Sequence, residues 1–140
     1  MTSGGPETAA VGRVEKIRES PAARTIRRDP GSGLTIQSTR LDLDANGRPG
    51  LERIESIDLV TGHGIHEQFS INDDDPLSAS AEIFQCAVSR RGDWATEVRT
   101  RIRFTATPTQ FRLEAELRVF DRDQPFFERH WDELLERDLV

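Results

Sequence analysis

Apolar and charged side chains alternate along the second half of the chain with a period of two. Trp94, Thr96, Val98, Thr100, Ile102 and Phe104 share one parity, while Glu97, Arg99, Arg101 and Arg103 share the other. A strand sends successive side chains to opposite faces, so this run predicts a strand with one greasy and one ionic side. Past Thr107-Pro108 the pattern returns, with Phe111, Leu113, Ala115, Leu117 and Val119 set against Arg112, Glu114, Glu116 and Arg118. The two runs predict an antiparallel hairpin. In it the arginines of the first strand face the glutamates of the second, each pair contributing roughly 0.2 to 1 kcal/mol. Burial of the large apolar side chains, at about 1.5 to 3 kcal/mol each, outweighs that ladder.

Upstream, Ala23 to Arg28 and Leu34 to Leu43 flank Asp29-Pro30-Gly31-Ser32-Gly33, a turn signal that predicts a second hairpin. Asp44-Ala45-Asn46-Gly47 marks a further turn, followed by strands over Leu51 to Val60, Gly64 to Ile71 and Ser78 to Ser89. The tail from Pro125 to Val140 reads two ways: Phe127, Arg129 and Trp131 extend as a last strand, while Asp132 to Arg137 has the propensity for one short helical turn. The expected fold is all-β, an antiparallel meander forming an up-and-down, partly closed barrel or a strongly curved sheet. Met1 to Val11, with Gly4, Gly5 and Pro6, is expected to be a disordered lead-in, and residues 12–140 a single β-domain.

At 140 residues one domain is expected, and 35% hydrophobic against 31% charged residues suits sheets with one wet face. Cys86 is the lone cysteine, which excludes an internal disulfide and suits a reducing compartment. With no basic and apolar leader in Met1 to Val11, and no apolar run near the roughly 20 residues that span a bilayer, a cytoplasmic protein is expected. A net charge of -6 with both signs interspersed argues against a nucleic-acid surface.

Candidate catalytic and metal-binding groups each have a plainer reading. The nearest approach to a serine-nucleophile elbow, Gly31-Ser32-Gly33, sits in a hairpin turn. His63 and His66, with Glu67 adjacent, fall on opposite faces of an extended strand and so do not converge on a metal. His130 is read as a strand residue hydrogen-bonding a neighbour or water. Asp73-Asp74-Asp75-Pro76 lacks calcium-loop spacing and reads as a solvated turn before a strand from Ser78. Glu114 and Glu116 lie opposite arginines, which lowers carboxyl pKa values and spoils a general acid. No catalytic residue, cofactor or metal is expected.

Five segments carry a family resemblance: Asp74-Asp75-Pro76-Leu77-Ser78-Ala79, Arg91-Gly92-Asp93-Trp94, Thr100 to Phe111, Arg129 to Trp131, and Arg137-Asp138-Leu139-Val140. Together they make Ile71 to Val140 resemble the extreme C-terminal region of CocE/NonD-family hydrolases, the X-Pro dipeptidyl-peptidase-like (peptidase S15-like) group. Ala23 to Asp29 and His66 to Ile71 look, more weakly, like the strands that precede these motifs there. The chain departs from the pattern at Leu134-Leu135-Glu136, where an Ile-Pro pair is expected, and at Asp121 to Pro125, which replaces an acidic-glycine turn. In that family the Ser-His-Asp triad belongs to a separate α/β-hydrolase domain, so the resemblance implies an accessory β-module without it.

The functional expectation is therefore a non-catalytic accessory or interaction module. A lipocalin-like pocket for a small hydrophobic ligand is the alternative, and a hydrolase in its own right ranks last. The candidate ligand or partner face comprises Trp94, Val98, Ile102 and Phe104, then Phe111, Leu113 and Leu117, and finally Trp131. Large exposed apolar patches are rare on monomers, so this face calls for a cover: its own barrel wall, a hydrolase subunit, or self-association.

Overall fold

In the computed structural model, which describes residues 12–138, the period-two runs become nine antiparallel strands of one sheet. They are β1 (Val14–Arg18), β2 (Ala23–Arg28), β3 (Leu34–Leu41), β4 (Leu51–Ile54), β5 (Leu59–Asn72), β6 (Asp75–Arg91), β7 (Trp94–Ala106), β8 (Gln110–Asp121) and β9 (Gln124–Glu136). The lead-in expected to be disordered, residues 1–11, lies outside the described residues.

From β5 onward the sheet is a meander in which each strand pairs with the next. The β7–β8 register sets Arg101 against Glu116 and Arg103 against Glu114, as the alternation implies. β5 is shared along its other edge: its first residues pair with β4 and its last eight with β3. β1 then adds to β4, and β2 to β3. β9 pairs with β8, and the sheet is open, not closed into a barrel. Of the expected alternatives, the curved, partly closed sheet holds.

Three local expectations change. The run Leu51 to Val60 is not one strand, because a 3-10 turn at Glu55–Ile57 and a left-handed Asp58 (φ 49°) fold it into a tight hairpin that pairs Ile54 with Leu59. Asp tolerates that conformation better than most residues, so the chain can reverse direction there. The strand expected to run to Leu43 stops at Leu41, where Asp42 also has positive φ, 49°. At the other end the helical turn over Asp132 to Arg137 does not form. β8 offers an unbroken row of backbone partners as far as Gln110↔Glu136, and Arg112 grips Asp132 with two bonds of 2.9 and 2.7 Å. That pairing outweighs local helical propensity.

The enclosed core lies on the side the alternation marks as ionic. Residues 42–50, between β3 and β4, cross that face of β5, and Leu43 of the crossing forms a buried cluster with Leu51, Cys86 and Val88, with Val60 and Phe84 packed against it. The crossing chain touches strand backbone: a Cβ on Gly64 would stand 2.5 Å from the Asp42 carbonyl oxygen, and one on Gly62 2.1 Å from that of Gly50. Asp44 holds the crossing segment in shape by accepting backbone N–H bonds from Asn46 and Arg48 at 2.8 Å each.

Gly64→Ala is expected to destabilise the protein by about 1 to 3 kcal/mol in urea unfolding, because neither the carbonyl nor Leu43 can withdraw without opening the core. Gly12→Ala, whose Cβ meets only the Ser56 hydroxyl at 3.6 Å, is the matched control and should stay within about 0.5 kcal/mol.

Candidate functional site: the apolar face of the sheet

The meander places all eight residues of the candidate face on one side. Cross-strand register lines Ile83, Ile102, Ala115 and Trp131 into one row, and Ala81, Phe104 and Leu113 into the next. Ala87, Val98, Val119 and Phe127 form a third, and Gln85, Thr100, Leu117 and Arg129 lie between. Phe104 and Phe111 stack with ring centroids 5.2 Å apart, and the Arg137 guanidinium lies 4.9 Å over the Phe111 ring. Arg129 sits 4.8 Å over the Trp131 indole.

Among the described residues, nothing covers this side as a second layer. Trp94 is 51% exposed, Ile102 38%, Phe104 36% and Phe127 49%, while Leu43 and Cys86 under the crossing segment fall to 2% and 0%. Near the β5–β6 turn the face deepens into an open groove of about 510 Å³, lined by Phe69, Ile71, Leu77, Ala81, Phe104 and Phe111 among others.

The opposite side carries the charges. Arg99 and Arg118 stand directly across from one another on β7 and β8, a repulsive pairing. Both guanidinia lie over the Phe120 ring, at 5.5 and 5.3 Å. Each is also neutralised, Arg99 by Glu97 at 2.6 Å and Arg118 by Glu116 at 3.7 Å. Arg101 reaches Glu82 on β6, at 3.8 Å, instead of its register partner Glu116. The ladder expected between two strands thus spreads over β6 to β9. These pairs are solvent-facing and weakly stabilising.

The other sequence candidates keep ordinary structural partners. Ser32 donates to Asp29 at 2.7 Å inside the β2–β3 turn, and that bond leads the lowering of the Asp29 pKa. His63 and His66 fall on opposite faces, across from Ala87 and Phe84. In the acidic turn, Asp75 accepts the Leu77 N–H at 3.0 Å and Asp73 pairs with Arg28. β6 starts at Asp75, three residues earlier than the expected Ser78. Glu114 meets Arg112 at 3.4 Å. His130 Nε2 is 2.6 Å from Glu128 Oε1, and Glu116 completes a trio with donor atoms within 4.8 Å of each other. Arg118, at 3.7 Å from Glu116 and 3.9 Å from Glu128, is the resident cation of that trio.

Two arrangements escape sequence reasoning because they join distant positions. Ser38 Oγ and His66 Nε2 hydrogen-bond at 2.8 Å between β3 and β5. Acyl transfer uses a serine beside a histidine base, yet Ser38 sits mid-strand in β3, which is paired on both edges by β2 and β5. Its neighbouring backbone N–H groups are engaged in the two ladders, not aimed at a developing oxyanion. Second, Cys86 lies in the core 3.5 Å from Glu97, and burial first, then the Glu97 charge, push its thiol up to about 11. A thiol so raised is a weak nucleophile at neutral pH.

No family model matches the chain, and comparison with curated proteins and with solved structures likewise returns no match. No helix among the described residues is long and apolar enough to cross a membrane.

Burial, helped by the Arg40 charge, holds the His66 pKa below its ordinary value of 6.5, with Glu82 opposing. The unfolded chain then binds more protons than the folded one between the two pKa values, so this stability is present above the unfolded pKa and lost as pH falls through the folded one. Urea unfolding is expected to show stability declining from about pH 7 to pH 5, and His66→Gln should flatten that decline. An unchanged slope in the variant would assign the pH dependence to other groups.

Proposed function

We propose that this chain is a non-catalytic accessory β-module that works by presenting the apolar face of β6 to β9 to a partner. The observation that carries the reading is the continuity of that face, which runs across four strands, has an uncharged centre and leaves Trp94 about half exposed and Ile102 and Phe104 exposed by more than a third. Patches of that kind mark interaction surfaces on soluble proteins. The resemblance of Ile71 to Val140 to the C-terminal region of CocE/NonD-family hydrolases agrees with it, since in that family this part lies beyond the catalytic residues. The lone, core-enclosed Cys86 suits work in the cytoplasm. A second reading, a small hydrophobic ligand, draws on the apolar groove beside Phe104 and Phe111, which is open where a lipocalin-like chamber would be enclosed.

The purified chain is expected neither to turn over p-nitrophenyl acyl esters nor to take a serine-reactive fluorophosphonate. Stoichiometric labelling abolished by Ser38→Ala would overturn the non-catalytic reading and make the Ser38–His66 pair a working nucleophile and base. Fatty acid titration followed by Trp131 fluorescence tests the second reading, for which saturable quenching at one ligand per chain is the supporting result.

A further inference from the structure

We infer that the occupant of the apolar face is a second copy of this chain, packed sheet on sheet about a twofold axis. The inference rests on the reading of that face as an interaction surface and names its partner.

The first argument is area. The chain exposes 10498 Å², whereas a compact monomer of 15.8 kDa exposes about 7,300 Å². Subtracting the most area that residues outside 12–138 can expose in any conformation, about 2,000 Å², and leaving their mass out of the comparison, still leaves roughly 1,600 Å² in excess. A standard interface takes ~800 Å² from each partner, so the excess is ample for a stable dimer. Domains bury a sheet face under a second layer, and a single sheet supplies that layer by pairing with itself.

The second argument is charge. Each copy carries a net charge of -6, so two copies repel wherever charged surfaces meet. On β6, β7 and β8 the positions of the apolar parity between Ala81 and Ser89, Trp94 and Ala106, and Phe111 and Val119 include no ionisable side chain. Identical surfaces can meet there without opposing like charges, as an isologous contact requires. The charges on this side stand around that centre in both signs, with Arg91 at the end of β6 across from Trp94, Asp121 at the end of β8 across from Thr96, Glu67 on β5, and Arg129 and Glu133 on β9, so a twofold arrangement can set one sign against the other. Edge-to-edge pairing through β9 is the poorer route, because its free edge carries Pro125 and closely spaced charges.

Sedimentation equilibrium of the full chain from about 1 to 100 µM tests this. The expected species at the upper end has twice the 15.8 kDa chain mass, and its dissociation constant should hold or tighten as salt rises, since salt screens the repulsion between two anionic copies. Ile102→Glu and, without loss of apolar volume, Thr100→Arg each put a charge mid-face and should weaken association at least 100-fold, with the strand signature in circular dichroism retained. Glu82→Gln, on the ionic side, should leave it unchanged. A folded chain that stays at 15.8 kDa at 100 µM overturns the second copy as occupant, as does a dimer unaffected by both mid-face charges or weakened several-fold by salt. A monomer inert toward esters leaves the module reading standing, whereas a dimer that turns them over removes that reading and keeps the interface.

Discussion

The contact between the 42–50 crossing and the bare backbone of β5 is the constraint on which the rest of the sheet depends. A single layer of strands has no interior, and the enclosed cluster of Leu43, Leu51, Cys86 and Val88 exists because the crossing lays Leu43 against the sheet. It can lie that close because Gly62 and Gly64 present no Cβ on that face. The same crossing explains why β3 and β4 share one edge of β5 end to end: the chain leaves the sheet after Leu41, passes over the glycines and re-enters at Leu51. Filling either methyl-sized gap at this point disturbs both the core and the topology.

Away from that cluster, stability comes from pairing instead of enclosure. β6 to β9 are long strands in nearly uninterrupted register, and their ionic side is a net of solvent-facing ion pairs that links one strand to the next. Each such pair stabilises by only ~0 to 1 kcal/mol. Full burial of one large apolar side chain is worth about 1.5 to 3 kcal/mol, so the face opposite holds the larger unrealised term. The arginine pair flanking Phe120 illustrates the compromise: like charges face each other across β7 and β8, and an aromatic ring plus two glutamates make the arrangement tolerable.

What the sequence disclosed follows from how far each signal reaches along the chain. The β7–β8 hairpin, its register and the common side of Trp94 through Leu117 were legible because alternation is local and survives any packing. The Gly31-Ser32-Gly33 turn was legible for the same reason, since Asp29 and the groups that donate to it lie within four residues. The crossing of 42–50 was not, because Gly62 and Gly64 read locally as helix breakers and their reason lies well upstream, at Asp42, Leu43 and Gly50. β1 was missed because Val14 to Arg18 is too polar to stand out, and it pairs with β4 across a long connection. Nor could the alternation tell which face would be enclosed: it marked the greasy side correctly, and the crossing segment then closed off part of the other.

That inversion bears directly on function. Had the crossing segment covered the Trp94 side, the chain would have satisfied its own apolar rows and left only a charged surface to solvent. Instead the cover lies where Cys86 and Val88 need it, and the rows built from Ile83, Ile102, Leu113 and Trp131 stay at the surface. Their neighbours on the same face of β6, β7 and β8 are threonine, alanine and glutamine, not lysine or glutamate, so those strands carry no charge at the centre to discourage contact. Charges are placed instead at strand ends, Arg91 on β6 and Asp121 on β8, and along β9, where they oppose strand addition at that edge. The distribution resists association by the edge and permits it by the face, a pattern expected of a sheet whose second layer is supplied from outside the chain.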